Sequence, residues 1–216
     1  MIGAKFGLEC LRASCLIKNI KLASQLQASF TDWDQSSSTF GPGNVITHLG
    51  GDLYGIAVNA STTYVHNSTL GATQFVMQVK GGSLRVENNS FTAGSVTFWI
   101  GADLSSLTVR DNTVVGVPGY SVTSAVLTSN PVSVTIVNNT FTRVLTGVEV
   151  SGRPSSGSPA VVDRNRITGL YYPPGHQFGV EAGSGLVSLQ ISRQGFFGRT
   201  LTVSTHFRIR RESSQR

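Results

Sequence analysis

Two glutamates and a tryptophan come closest, among the residues of this chain, to a constellation that could do chemistry. Glu149 stands in Thr146-Gly147-Val148-Glu149-Val150 and Glu181 in Phe178-Gly179-Val180-Glu181-Ala182, and both segments align with Tyr54-Gly55-Ile56-Ala57-Val58. Looser copies at Met77/Val79, Phe98/Ile100 and Ala125/Leu127 give a column whose outward centre reads Ala57, Gln78, Trp99, Val126, Glu149 and Glu181. On adjacent parallel strands the two carboxylates would stand about 4.8 Å apart. That is the order of separation a retaining glycosidase needs, and like charges so close would raise one pKa. Trp99 on the same face could stack on a sugar ring. The plainer reading has two glutamates splayed into water, and the sequence favours it. No catalytic residue is assigned; Glu149 and Glu181 stand as the candidates and Trp99 as the candidate ligand-binding residue.

Other chemistries find less support. Asp32 and Asp34, with Asp52, lie in a Ser/Gly-rich stretch but lack the glycine and glutamate positions of a calcium loop, so no metal is expected. His48, His66, His176 and His206 share no spacing with a Ser or Cys nucleophile, which leaves a hydrolase triad without a basis. A column of Glu87, Arg110, Val137, Asp163 and Ser192 alternates in charge and reads as surface ion pairs rather than as a lyase face. Cys10 and Cys15 are too few for a disulfide framework or a metal site, although one local bridge is feasible. No cofactor is expected.

The elements that must position these residues announce themselves as a repeat. Ser133-Val134-Thr135-Ile136-Val137-Asn138-Asn139-Thr140-Phe141 returns as Ser83 to Phe91 and as Ser188 to Phe196. Numbering its positions one to nine, position two is Thr63, Leu84, Leu107, Val134, Ala160 and Leu189. Position four is Val65, Val86, Val109, Ile136, Val162 and Ile191, and position nine is Leu70, Phe91, Val114, Phe141, Ile167 and Phe196. Position seven is Ser68, Asn89, Asn112, Asn139, Asn165 and Gln194, at intervals of 21, 23, 27, 26 and 29 residues. A period of that size marks a solenoid.

Positions two and four share one face of a strand, three and five the other. The polar residue at position seven is expected at a bend, where Asn tolerates left-handed backbone, and its amide can hydrogen-bond to like amides above and below. This predicts a structural ladder of Asn89, Asn112, Asn139, Asn165 and Gln194, frayed at Ser68. The fold class expected is all-β, a right-handed parallel β-helix of about six coils.

The organisation then divides into an N-terminal cap and loop over 1–51, the helix of coils over 52–205 and a basic tail over 206–216. Leu8, Leu11, Cys15, Leu22 and Leu26 lie near one helical face, so a short amphipathic helix is expected to close the first coil. The competing reading, from Ile20-Lys21-Leu22 about two periods before the first good copy, is a degenerate pair of coils. Of the net charge of +6, +5 resides in the C-terminal end, where Arg193, Arg199, Arg208, Arg210, Arg211 and Arg216 face Glu212. A basic terminus without interleaved aromatics does not suggest nucleic-acid binding. No apolar run reaches membrane-span length and no secretion signal opens the chain.

Asn59, Asn67, Asn88 and Asn138 each begin an Asn-x-Ser/Thr sequon and are glycosylation candidates, although the repeat itself calls for Asn at two of them. The phrase from Val137 to Gly152, with its relatives around Asn89 and Asn112, resembles the repeats of the pectin-lyase-like right-handed parallel β-helix superfamily. Within it, the phrase is most similar to the family of the trypanosome dispersed gene family protein 1, very large surface proteins. The resemblance spans residues 60–170. It implies a cell-surface or secreted location, a membrane-anchored parent and a glycan or host or matrix protein as partner, and it supplies no catalytic residue. The chain departs from that pattern in having no span, no signal and few coils, as a truncated or frame-shifted copy would. Three functions follow as expectations: a non-enzymatic adhesion or recognition segment, a carbohydrate-active enzyme using Glu149 and Glu181, and a non-functional fragment whose open coil ends self-associate.

Overall fold

The computed structural model describes residues 6–23, 28–47, 54–72, 75–93, 96–100, 104–116, 124–129, 133–144, 146–151, 160–168, 178–182, 189–192 and 195–197. All of its regular structure is β, in a 14-stranded and an 8-stranded sheet. Neighbouring strands pair in parallel, and each pairs with the copy of itself one period away in sequence: Leu84 opposes Leu107, which opposes Val134, and Phe91 opposes Val114, which opposes Phe141. This is a right-handed parallel β-helix. The smaller sheet runs from Lys21–Ala23 through Val45–Thr47, Thr69–Ala72, Ser90–Ala93, Thr113–Gly116, Thr140–Thr142 and Arg166–Thr168 to Gly195–Phe197, one strand per coil. Seven inter-strand steps make a stack of about 34 Å.

The repeated apolar positions build the core because strand parity points them inward together. Leu84, Leu107, Val134 and Ala160 at position two, Val65, Val86, Val109, Ile136 and Val162 at position four, and Leu70, Phe91, Val114, Phe141 and Ile167 at position nine are all at most 2% exposed. Each fully buried aliphatic or Phe side chain contributes roughly 1.5–3 kcal/mol, so the columns rather than any single contact hold the coils together.

The expectation of a helical cap fails at the N-terminal end. Residues 6–23 and 28–47 form no helical cap; they are strands Phe6–Leu11, Ser14–Ile17, Lys21–Ala23, Ala28–Trp33, Ser37–Phe40 and Val45–Thr47, two further coils of the same stack. Their pairing continues the columns, with Ile17 opposite Phe40 and Phe40 opposite Val65, and Leu22 opposite Ile46 and Ile46 opposite Leu70. Strand alternation, not a helical face, buries Cys10 and Leu22 and leaves Leu11 52% exposed. The degenerate-coil alternative is therefore the correct one. Residues 206–216, expected as the basic tail, lie outside the described residues.

Within the larger sheet the first coils bend at residues of positive φ, Arg12, Gln35 and Ala60 among them. Gly82 marks one such bend, with φ +79, and a Cβ there would lie 2.0 Å from the Ser61 carbonyl oxygen of the preceding coil. Only glycine fits both demands. A disulfide joins Cys10 to Cys15 across the equivalent bend of the first coil.

Candidate functional site

The corner between the two sheets is built by two consecutive residues with opposite duties. Turning the chain there leaves backbone groups without strand partners, and burial makes that costly. Asn89 answers with one side chain. Its Nδ2 donates to the carbonyls of Glu87 at 2.9 Å and Val65 at 3.0 Å and to Asn112 Oδ1 at 3.1 Å, while Asn112 Oδ1 also accepts the Asn89 backbone N–H at 2.9 Å. Asn112 and Asn139 repeat the pattern onto Asn139 and Asn165. The four asparagines are at most 4% exposed. Gln194 lies outside the described residues.

The ladder does not fray at Ser68 but is interrupted there. Ser68 Oγ donates to the His66 carbonyl, doing locally what the amide does, and beyond it Asn44 resumes the role: its Nδ2 donates to the Ile17 carbonyl at 2.8 Å and its Oδ1 accepts the Ile20 N–H at 3.1 Å. Asn44 went unrecognised because its coil has Phe40 and a Gly-Pro-Gly turn where the repeat has Val and Asn.

The left-handed bend falls one residue earlier than expected. Asn67, Asn88, Asp111 and Asn138, with φ of 47, 55, 58 and 55°, take the strained conformation, and position seven does not. The turn thus faces position seven inward and position six outward. Asn67 and Asn88 are exposed and Asp111 partly so, and beside them stand the exposed hydroxyls of Thr69, Ser90 and Thr113. These six residues, over a floor that includes Asn89, line an open groove of about 420 Å³ across three coils. Among the described residues, no basic one lines it. At its far end Asn138 Nδ2 donates to Asp111 Oδ1.

Alongside the groove, position five carries a polar cluster more buried than the surface ion pairs its alternating charges suggest. Glu87 is in fact 3% exposed, capped by Arg85 Nε at 2.8 Å, Arg110 Nε at 3.0 Å and the Tyr64 hydroxyl at 3.0 Å. Arg85 lies 4.8 Å over the Tyr64 ring, whose other neighbour is the stacked His66 at 4.6 Å. Burial pushes the Glu87 carboxyl up, but hydrogen bonds from Arg85 and Tyr64 and the charges of Arg85 and Arg110 outweigh it and hold it below its ordinary value. An ionised, fully paired carboxylate cannot serve as a general acid.

The glutamate column is assembled as proposed, with one correction. Ala57, Gln78, Trp99, Leu127, Glu149 and Glu181 oppose one another in succession, and Glu149 and Glu181 are register partners on adjacent strands. Val126 is not in this column: it pairs with Phe98 and Val148 and is fully buried. The sequence alignment slipped there by one residue, and in a strand one residue exchanges the faces. Glu149 is half-buried; Glu181 and Trp99 are described by backbone alone. Leu127 stands between Trp99 and Glu149 in the register, which separates their backbones by two strand spacings, about 10 Å.

The remaining candidates separate. Asp32 is fully buried and bonded to Thr63, Asp34 pairs with Arg12 at 3.3 Å, and Asp52 lies outside the described residues; among the described residues no cluster of metal-ligating side chains occurs. Of the histidines only His66 is described. Of the sequons, Asn67, Asn88 and Asn138 are exposed, whereas Asn59 has its hydroxyl partner Ser61 buried at 2%. Among the described residues no helix is long and apolar enough to cross a membrane.

What the fold defines is the class of right-handed parallel β-helices. No protein-family model, curated protein or solved structure matches this chain.

Proposed function

We propose that the chain is a non-enzymatic recognition segment of a cell-surface or secreted β-helix protein of the pectin-lyase-like kind, and that it binds glycan at the corner groove. The observation that carries this reading is the groove itself, where Asn67, Asn88 and Asp111 repeat coil by coil next to Thr69, Ser90 and Thr113. Planar amides and carboxylates pair with vicinal sugar hydroxyls, and short hydroxyl side chains fill in at low entropic cost. The repeat phrase around residues 137–152 supports the surface location through its resemblance to the dispersed gene family. The test is a glycan array probed with the purified chain. Retention on one or more polysaccharides is expected, and a blank array overturns the reading.

A second reading rests on the register of Glu149 and Glu181, which suits a retaining glycosidase. It requires new reducing ends on incubation with a polysaccharide panel and their loss in Glu149→Gln and Glu181→Gln. We expect no cleavage in either case.

A further inference from the structure

We infer that the groove takes a linear, neutral polysaccharide laid along the solenoid axis, with about one sugar ring per coil; this rests on the glycan reading above and specifies its ligand. The groove's polar groups repeat along the axis and not across it. Thr69, Ser90 and Thr113 are direct register partners on three successive parallel strands, and Asn67, Asn88 and Asp111 hold the equivalent corner position two residues before them. Register partners on parallel strands advance about 4.8 Å per coil, comparable to the advance per ring of an extended 1,4-linked chain. Each ring would therefore meet the same pair, one planar amide or carboxylate and one hydroxyl. A branched or globular glycan could not use the repetition.

Charge selects among linear chains. Among the described residues, Asp111 is the only ionisable one lining the groove. The Arg110 guanidinium beside it is already paired with two carboxylates, its Nε 3.0 Å from Glu87 and 3.1 Å from Asp111. A polyanionic chain would lay its charge against the Asp111 carboxylate. The bond from Asn138 to Asp111 closes the array after the third coil.

The test is calorimetric titration of the protein, made in a bacterial host so that the Asn67 and Asn88 amides stay unmodified, with neutral 1,4-linked oligosaccharides of increasing length. Affinity is expected to rise roughly fivefold per added ring, up to about three or four rings, and then level off. Oligogalacturonates of the same length are expected to bind at least about tenfold more weakly. Asn88→Gly removes the amide while tolerating the positive φ, and should weaken the neutral trimer roughly tenfold with an unchanged melting temperature. Asp111→Asn should erase the preference for neutral over acidic chains. Affinity independent of length, or equal for neutral and acidic chains, overturns the axial model while glycan recognition stands; no binding to any oligosaccharide overturns both.

Discussion

Inside the solenoid, the Thr63 hydroxyl donates to the carboxylate of Asp32 on the preceding coil, at 2.5 Å. Asp32 occupies the register position held by Cys10 on one side and Val58 on the other, so an acid stands where the column is otherwise apolar or bridged. Its Oδ1 has no hydrogen-bond partner. Burial raises its pKa above 3.8, against the opposing pull of the Thr63, Ser38 and Ser36 hydroxyls.

The consequence for stability has a definite sign. Below about pH 4 both folded and unfolded chains carry the proton; as the pH rises the unfolded chain ionises first, so stability falls until the folded-state pKa is passed and is level beyond it. Asp32→Asn keeps an acceptor for Thr63 and removes the ionisation. Urea unfolding should find this variant more stable than the parent by about 1–3 kcal/mol at neutral pH, with the gap closing toward pH 3. A parent more stable than the variant at neutral pH would contradict the placement of Asp32.

Glu87 behaves oppositely. Its folded pKa is held down, so the stability it contributes is present above about pH 4.5 and lost as the pH falls through the lower folded value. Glu87→Gln leaves Arg85 and Arg110 beside a neutral group and should cost about 1–3 kcal/mol at neutral pH and little in strong acid. The same urea series read between the two pH limits checks it.

The amide ladder predicts a paired result. Asn112→Ala strips bonds from the Val86 and Arg110 carbonyls and from the Asn89 N–H, and should destabilise the fold by about 3–5 kcal/mol. Ser68→Asn restores the missing rung between Asn44 and Asn89 and should raise stability by about 1–2 kcal/mol. Chemical denaturation of both variants is the measurement; a neutral Asn112→Ala would mean that the rungs carry no stability.

Two glycines give a contrast that depends on geometry alone. Gly82→Ala would force a Cβ to within 2.0 Å of Ser61 O at φ +79, whereas at Gly71 the nearest atom to an added Cβ is 3.7 Å away. Gly82→Ala should cost more than about 3 kcal/mol, and Gly71→Ala should be neutral or stabilising by a few tenths. Thermal unfolding separates them.

The architecture was legible in the sequence because the columns are chemically simple. Val65, Val86, Val109 and Ile136 repeat with a polar residue at fixed distance, and parity does the rest. The first two coils are legible only as the weaker alternative from Ile20-Lys21-Leu22, since Ile17, Phe40, Ile20 and Asn44 fill the same places with residues that no longer look alike. The slip at Val126 had a similar cause: Ala125-Val126-Leu127 is apolar throughout, so nothing in it marks which side faces in. At the site, Asn67 and Asn88 were visible as sequons, but their outward direction depends on a left-handed φ that no pattern of residue types displays. The burial of Glu87 arises from Arg85, Arg110 and Tyr64 folding over it, two of them brought from other coils.

The most direct measurement is a titration of the protein with a neutral linear oligosaccharide, followed through the side-chain amide resonances of its asparagines. The exposed amides of Asn67 and Asn88 should shift saturably, while those of Asn89, Asn112 and Asn139, locked in the ladder, hold still. Shifts absent from Asn67 and Asn88, or gathered around Glu149 instead, would contradict a recognition groove at this corner.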